Sequence, residues 1–172
     1  MIHLYCGDGK GKTTAAMGLA LRMAGRGRKV VVAQFLKGAD SGERCALARL
    51  PQVILLPVPG QVKFSFAMTE KEKQAERVRY TGMLQDILRL CAGPGLGLLV
   101  LDEACAGINT GLVALDQVLS CLDLCREQDI EAVLTGRDPH PALLERADYI
   151  TQFTKQRHPY DQGVSARPGV EF

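Results

Sequence analysis

Residues 7–14 read Gly7-Asp8-Gly9-Lys10-Gly11-Lys12-Thr13-Thr14. They lie between a short apolar run, Ile2-His3-Leu4-Tyr5, and an Ala-, Leu- and Met-rich stretch from Thr13 to Gly25. The run predicts a strand, and the stretch a helix ending before Gly25-Arg26-Gly27. A glycine-rich turn in that setting lets successive main-chain N–H groups converge on one anion, because glycine leaves φ unrestricted. The helix start adds about half a positive charge and unpaired donors. Lys12 is then placed to reach a phosphate chain, and the Thr13 hydroxyl to meet Mg²⁺.

The spacing departs from the usual P-loop pattern at one position. Counting back from Gly11-Lys12-Thr13, the leading glycine falls at position 6, which is Cys6, and the first glycine is Gly7. The phosphates are therefore expected in a different register. The dinucleotide pattern G-x-G-x-x-G fails, since the glycines run G-x-G-x-G and are followed by Lys12-Thr13.

Outward from the loop, short apolar runs alternate with amphipathic stretches. Strands are predicted at 29–35, 52–56, 98–102, 131–135 and 148–154, with helices at 43–50, 69–91, 112–128 and 141–147. Thr69-Glu70-Lys71-Glu72 reads as a capping box opening the longest helix. Pro57 to Thr69 is a loop, and Lys155 to Phe172 a polar, turn-rich tail. Strands separated by helices imply right-handed crossovers. The expected fold is one three-layer α/β domain over residues 1–172, P-loop NTPase-like (RecA-like), with a mostly parallel sheet.

The 172 residues are 47% hydrophobic and 23% charged, which excludes disorder and a fibrous repeat. Lys and Arg total 21 against 19 Asp and Glu, a net +2 that argues against a broad nucleic-acid-binding face. No apolar stretch is long enough to span a membrane and no signal peptide opens the chain, so a cytoplasmic location is expected. Six cysteines are scattered without a C-x-x-C pair. Cys121 and Cys125, four apart on one helix face, read as small buried hydrophobes, with a metal or redox role as the alternative.

Three further strand ends reach the edge carrying the glycine loop. Leu99-Val100-Leu101-Asp102-Glu103 delivers carboxylates where such folds hold Mg²⁺, the alternative being a solvated acidic pair. Thr135-Gly136-Arg137 brings a guanidinium, either to phosphate or to a salt bridge with Asp138. Gln34-Phe35-Leu36-Lys37-Gly38 closes another strand, with Lys37 facing either the pocket or bulk water. His3, His140 and His158 show no ligand or triad spacing. From the residues alone this is a nucleoside triphosphate–Mg²⁺ enzyme or switch. A phosphoryl-transferring kinase or ATPase and a RecA-like regulatory module are the competing readings.

The set goes further than its parts. Gly7 to Ala16, Gln34 to Gly38, Leu101-Asp102-Glu103, Thr135-Gly136-Arg137, His158-Pro159-Tyr160-Asp161-Gln162-Gly163 and the ending Gly169-Val170-Glu171-Phe172 together resemble the P-loop ATP:corrinoid adenosyltransferase family, end to end. The resemblance implies transfer of the 5′-deoxyadenosyl group of ATP to cobalt(I) of a corrinoid such as cob(I)alamin, with release of triphosphate. It implies that Gly7, Asp8, Gly9, Lys10, Gly11, Lys12, Thr13 and Thr14 cradle the triphosphate and that Lys12 neutralises the leaving group. Thr13 and Glu103 would hold Mg²⁺ with Asp102 in support, and Arg137 would bind phosphate. Phe64-Ser65-Phe66 resembles the aromatic loop that closes beneath the corrin and excludes the lower axial ligand. Phe66 stands where the family usually has Trp, and Asp8 where it usually has Asn. Read without the resemblance, Phe64 and Phe66 are ordinary core residues. A homodimer and a reduced flavoprotein as electron donor are implied as well. Some members carry a basic helical extension before the first strand, whereas this sequence opens on the strand.

Overall fold

The computed structural model describes residues 1–171. Its strands are β1 (Ile2–Cys6), β2 (Lys29–Gln34), β3 (Val53–Leu55), β4 (Leu96–Asp102), β5 (Glu131–Gly136) and β6 (Tyr149–Gln152). Its helices are α1 (Lys12–Gly25), α2 (Gly42–Leu47), α3 (Glu70–Ala92), α4 (Ala104–Asn109), α5 (Leu115–Glu127) and α6 (Pro141–Arg146). Two 3-10 turns, Ser65–Ala67 and Pro159–Gln162, fall in the loop before α3 and in the tail.

Every residue of β4 is buried, as a near-continuous apolar run in a covered parallel sheet should be. It sits between β2 and β5 in a six-stranded sheet of order β3-β2-β4-β5-β1-β6. All five pairings are parallel. The alternation of side chains sorts β2 between two cores. Val30 and Val32 pack with Ala16, Met17 and Ala20 of α1, while Val31 and Ala33 pack with Tyr80, Leu84 and Leu122 of α3 and α5. The result is the expected three-layer α/β domain, with the sheet parallel throughout rather than mostly so.

The Thr69 capping box forms: Thr69 Oγ1 accepts from the Glu72 N–H while Glu72 accepts from the Thr69 N–H, an arrangement worth about 1 kcal/mol. Cys121 and Cys125 are fully buried between α3 and α5, in keeping with their reading as small hydrophobes. The region after β4 differs from expectation. A single helix from Leu112 was expected, yet α4 comes first and α5 begins only at Leu115. Glu103, in a left-handed conformation, caps α4, and neither that conformation nor the small residues 104–107 gives a start signal in sequence.

Because all six strands run the same way, the ends of β1, β2, β4 and β5 converge on one edge. Among the described residues no helix is long and apolar enough to cross a membrane.

Candidate active site

The loop after β1 turns sharply because its first residue can. Gly7 has φ +106°, and a side chain there would collide with the Phe153 carbonyl beyond β6. The Gly9 N–H donates to that same carbonyl at 2.8 Å. Cys6 is still in register with Gly136 and Gln152 on either side, so the strand continues through position 6 and the glycine turn starts one residue later than in the usual pattern. Lys12, only 8% exposed, folds back so that its ammonium donates to the Gly9 carbonyl at 2.8 Å. Burial pushes the Lys12 pKa down, and the Glu103 carboxylate partly opposes that shift.

Asp102 ends β4 with no exposed surface. Its Oδ1 accepts from the Thr13 hydroxyl at 2.8 Å and the Thr135 hydroxyl at 2.7 Å. Its Oδ2 accepts from Gln34 Nε2 at 3.1 Å and Lys37 Nζ at 3.4 Å. Asp102 therefore stands behind Thr13 and orients it. Glu103 follows with φ +58°, its N–H held at 2.9 Å by the Thr135 hydroxyl. Its carboxylate lines the cavity and has no protein partner among the described residues. Burial first, and then the neighbouring Asp102, raise its pKa above the usual carboxylate range. A hydroxyl and an unpartnered carboxylate, with an oriented acid behind, are the hard-oxygen donors that Mg²⁺ takes together with phosphate and water. No cluster of three or more His, Cys, Asp or Glu could hold a metal alone among the described residues.

These groups face a cavity of about 720 Å³, walled by residues 8–14, Lys37, Glu43, Glu103 and Arg137 and by His158 and residues 169–171 of the tail. Arg137 reaches the Asp8 carbonyl at 3.5 Å and forms no ion pair with Asp138 among the described residues, so the salt-bridge alternative is set aside. Asp8 holds the tail, since its Oδ1 accepts the Lys155 N–H at 3.0 Å, a bond that keeps its carboxyl below the usual range. Lys10 does likewise, donating to the Val170 carbonyl at 2.6 Å. Of the ending Gly169–Phe172, residue 172 lies outside the described residues.

Phe64 and Phe66 are not core residues. They are 74% and 86% exposed and stack on each other, with centroids 5.4 Å apart and planes 10° off parallel. They do not line the cavity. Their loop is tied to the segment between Lys37 and Gly42, because the Ala39 N–H donates to the Pro59 carbonyl at 3.0 Å. His3 pairs with Glu131 at 2.8 Å, and His140 caps α6 by accepting from the Ala142 N–H. Sequence reasoning gave no role to Glu43, His158 or Glu171, all of which wall the cavity. The only pointers to the last two are the quoted tail motifs, and nothing in the pattern around Glu43 marks it.

Comparison with known proteins gives a consistent result. The sequence model of the family described as ATP:corrinoid adenosyltransferase BtuR/CobO/CobP matches residues 1–172. The chain is 34% identical over 173 residues to a corrinoid adenosyltransferase of Pseudomonas aeruginosa, covering 100% of this chain and 83% of that protein. It is 32% identical to the corrinoid adenosyltransferase CobA of Salmonella typhimurium, covering 100% of this chain and 85% of that one. Among solved structures, a KaiC-like protein from Pyrococcus horikoshii OT3 shares the fold with a TM-score of 0.55 at 17% identity, over 91% of this chain and 73% of that one.

Proposed function

The chain belongs to the ATP:corrinoid adenosyltransferase family, and from that premise we propose how its residues carry out adenosyl transfer. Cobalt(I) of the corrinoid substrate attacks C5′ of ATP, the C5′–O bond breaks, and triphosphate leaves with the electron pair. The glycine loop binds the triphosphate through its main-chain amides, and Lys12 leaves the Gly9 carbonyl to meet it. Thr13 and Glu103 would hold Mg²⁺, with Asp102 fixing Thr13. When bound, Mg²⁺ neutralises charge building on the leaving group. Arg137, beside the loop at Asp8, adds a further cation.

The observation that carries this reading is that Lys12, Thr13 and Glu103 wall one cavity, with buried Asp102 holding Thr13 from behind. The late start of the glycine turn suits a nucleotide held with its sugar carbon, rather than its terminal phosphorus, toward the acceptor. The stacked, exposed Phe64 and Phe66 suit an apolar platform under the corrin that keeps axial donors from cobalt. A reduced flavoprotein donor and a homodimer are carried over from the family resemblance. Six unpaired cysteines suit a reducing, cytoplasmic setting.

Product analysis with ATP, Mg²⁺ and chemically reduced corrinoid tests the proposal. Triphosphate and a light-sensitive cobalt–carbon bond are expected. ADP without an alkylcobalt product would reject it in favour of phosphoryl transfer.

A further inference from the structure

Lys37 sits just past β2, where the backbone takes an uncommon turn. Leu36 has φ +53°, a left-handed conformation costing a branched residue about 1 kcal/mol. It is held there by the hydroxyl of fully buried Tyr80, which accepts the Leu36 N–H at 2.8 Å. The turn sends Lys37 back over the sheet edge. Its ammonium lies 2.8 Å from Glu43 Oε1 and 3.4 Å from Asp102 Oδ2, in the cavity wall.

Each partner keeps another hydrogen-bond donor without it. Asp102 keeps Thr13, Thr135 and Gln34 as donors when Lys37 withdraws, and the Lys37 contact is the longest of its four. Glu43 keeps Gln34 Nε2 at 3.1 Å, and Gln34 is itself fixed by Arg44 at 2.9 Å. Of the other lysines at the cavity, Lys10 is tied to the Val170 carbonyl. Lys37 is thus a cation that can leave without orphaning a buried group.

We infer that Lys37 is a second phosphate-binding cation, parked on Glu43 and Asp102 until the triphosphate arrives and then transferred to it. The inference rests on the reading above that the loop holds the triphosphate of ATP. A cation that follows the leaving group stabilises most where charge develops during transfer.

Binding of inorganic triphosphate with Mg²⁺ to the full chain, followed by calorimetry, tests it. Lys37→Ala should weaken binding about tenfold or more, as should Lys12→Ala. Glu43→Gln should tighten binding several-fold, because it removes the anion competing for Lys37. That gain should vanish in the Lys37→Ala background, whereas the mere loss of a wall anion would give the same gain in both. Wild-type affinity in Lys37→Ala alongside a loss in Lys12→Ala overturns the inference and leaves the parent reading standing. If the wild type does not bind triphosphate, or neither lysine matters, both fail. Should Lys37→Ala melt before it can be assayed, Lys37→Gln takes its place, alone and paired with Glu43→Gln, and is read in the same way.

Discussion

The Thr13 hydroxyl donates to Asp102 Oδ1 at 2.8 Å, joining residues 89 positions apart. This bond fixes the first turn of α1 to the end of β4, and with it the phosphate loop to the acidic edge. Asp102→Ala would leave the Thr13 and Thr135 hydroxyls without their acceptor, while Gln34 and Lys37 would keep only Glu43. We expect a loss of about 3 kcal/mol, read as a fall in melting temperature of roughly 6–12 °C. Asp102→Asn should cost less, because one carbonyl acceptor remains.

Lys12→Ala removes a cation from the leaving group and a donor from the Gly9 carbonyl. Turnover should fall by about 10²-fold or more, measured as adenosylated corrinoid formed from chemically reduced substrate. A variant retaining wild-type kcat would contradict the assigned phosphate site.

Glu103→Gln keeps the shape of the one cavity carboxylate without a protein partner among the described residues but loses its charge. Half-activation by Mg²⁺ should shift upward by about tenfold or more, with melting temperature within a few degrees of wild type. An unchanged Mg²⁺ titration would remove Glu103 from the metal site.

Phe64→Ala should leave stability within about 0.5 kcal/mol, since the ring is exposed. The route that starts from cobalt(II) should suffer more than transfer to preformed cobalt(I). Equal losses on both routes would end the platform argument.

Burial pushes the Glu43 carboxyl up, but opposing effects led by the hydrogen bond from Lys37 outweigh it and bring the pKa down to about 2. A carboxyl with a folded pKa below its unfolded value of 4.5 stabilises the protein above that value. The contribution is lost as pH falls from about 4.5 toward 2. Glu43→Gln should therefore flatten the stability profile in that window relative to wild type, as followed by urea unfolding at successive pH values.

Much of this architecture is legible in the sequence because it follows from local pattern. The run Leu98–Asp102 announces a buried parallel strand, Thr69 and Glu72 a helix start, and Gly7 to Thr14 the phosphate loop between strand and helix. The remainder depends on distant contacts. The helix α4 is invisible because it begins from a left-handed Glu103 rather than from a capping side chain. Asp8 and Lys10 look like pure ligand residues until the tail folds back to meet them. Glu43 enters only because β2 pairs with β4, which sets Lys37 beside Asp102. Phe64 and Phe66 read as core by composition, since the sequence alone does not state which apolar side chains a fold leaves uncovered.

Leu36 and Glu103 occupy the same awkward backbone region within two residues of the ends of adjacent strands, so each aims its neighbourhood at the cavity at some thermodynamic expense. Glycine or asparagine at either position would relieve that tension. A laboratory selection for heat tolerance alone would accordingly drift toward such replacements, enriching hardier but slower enzymes, whereas one that screens turnover at every round would keep both positions as they stand.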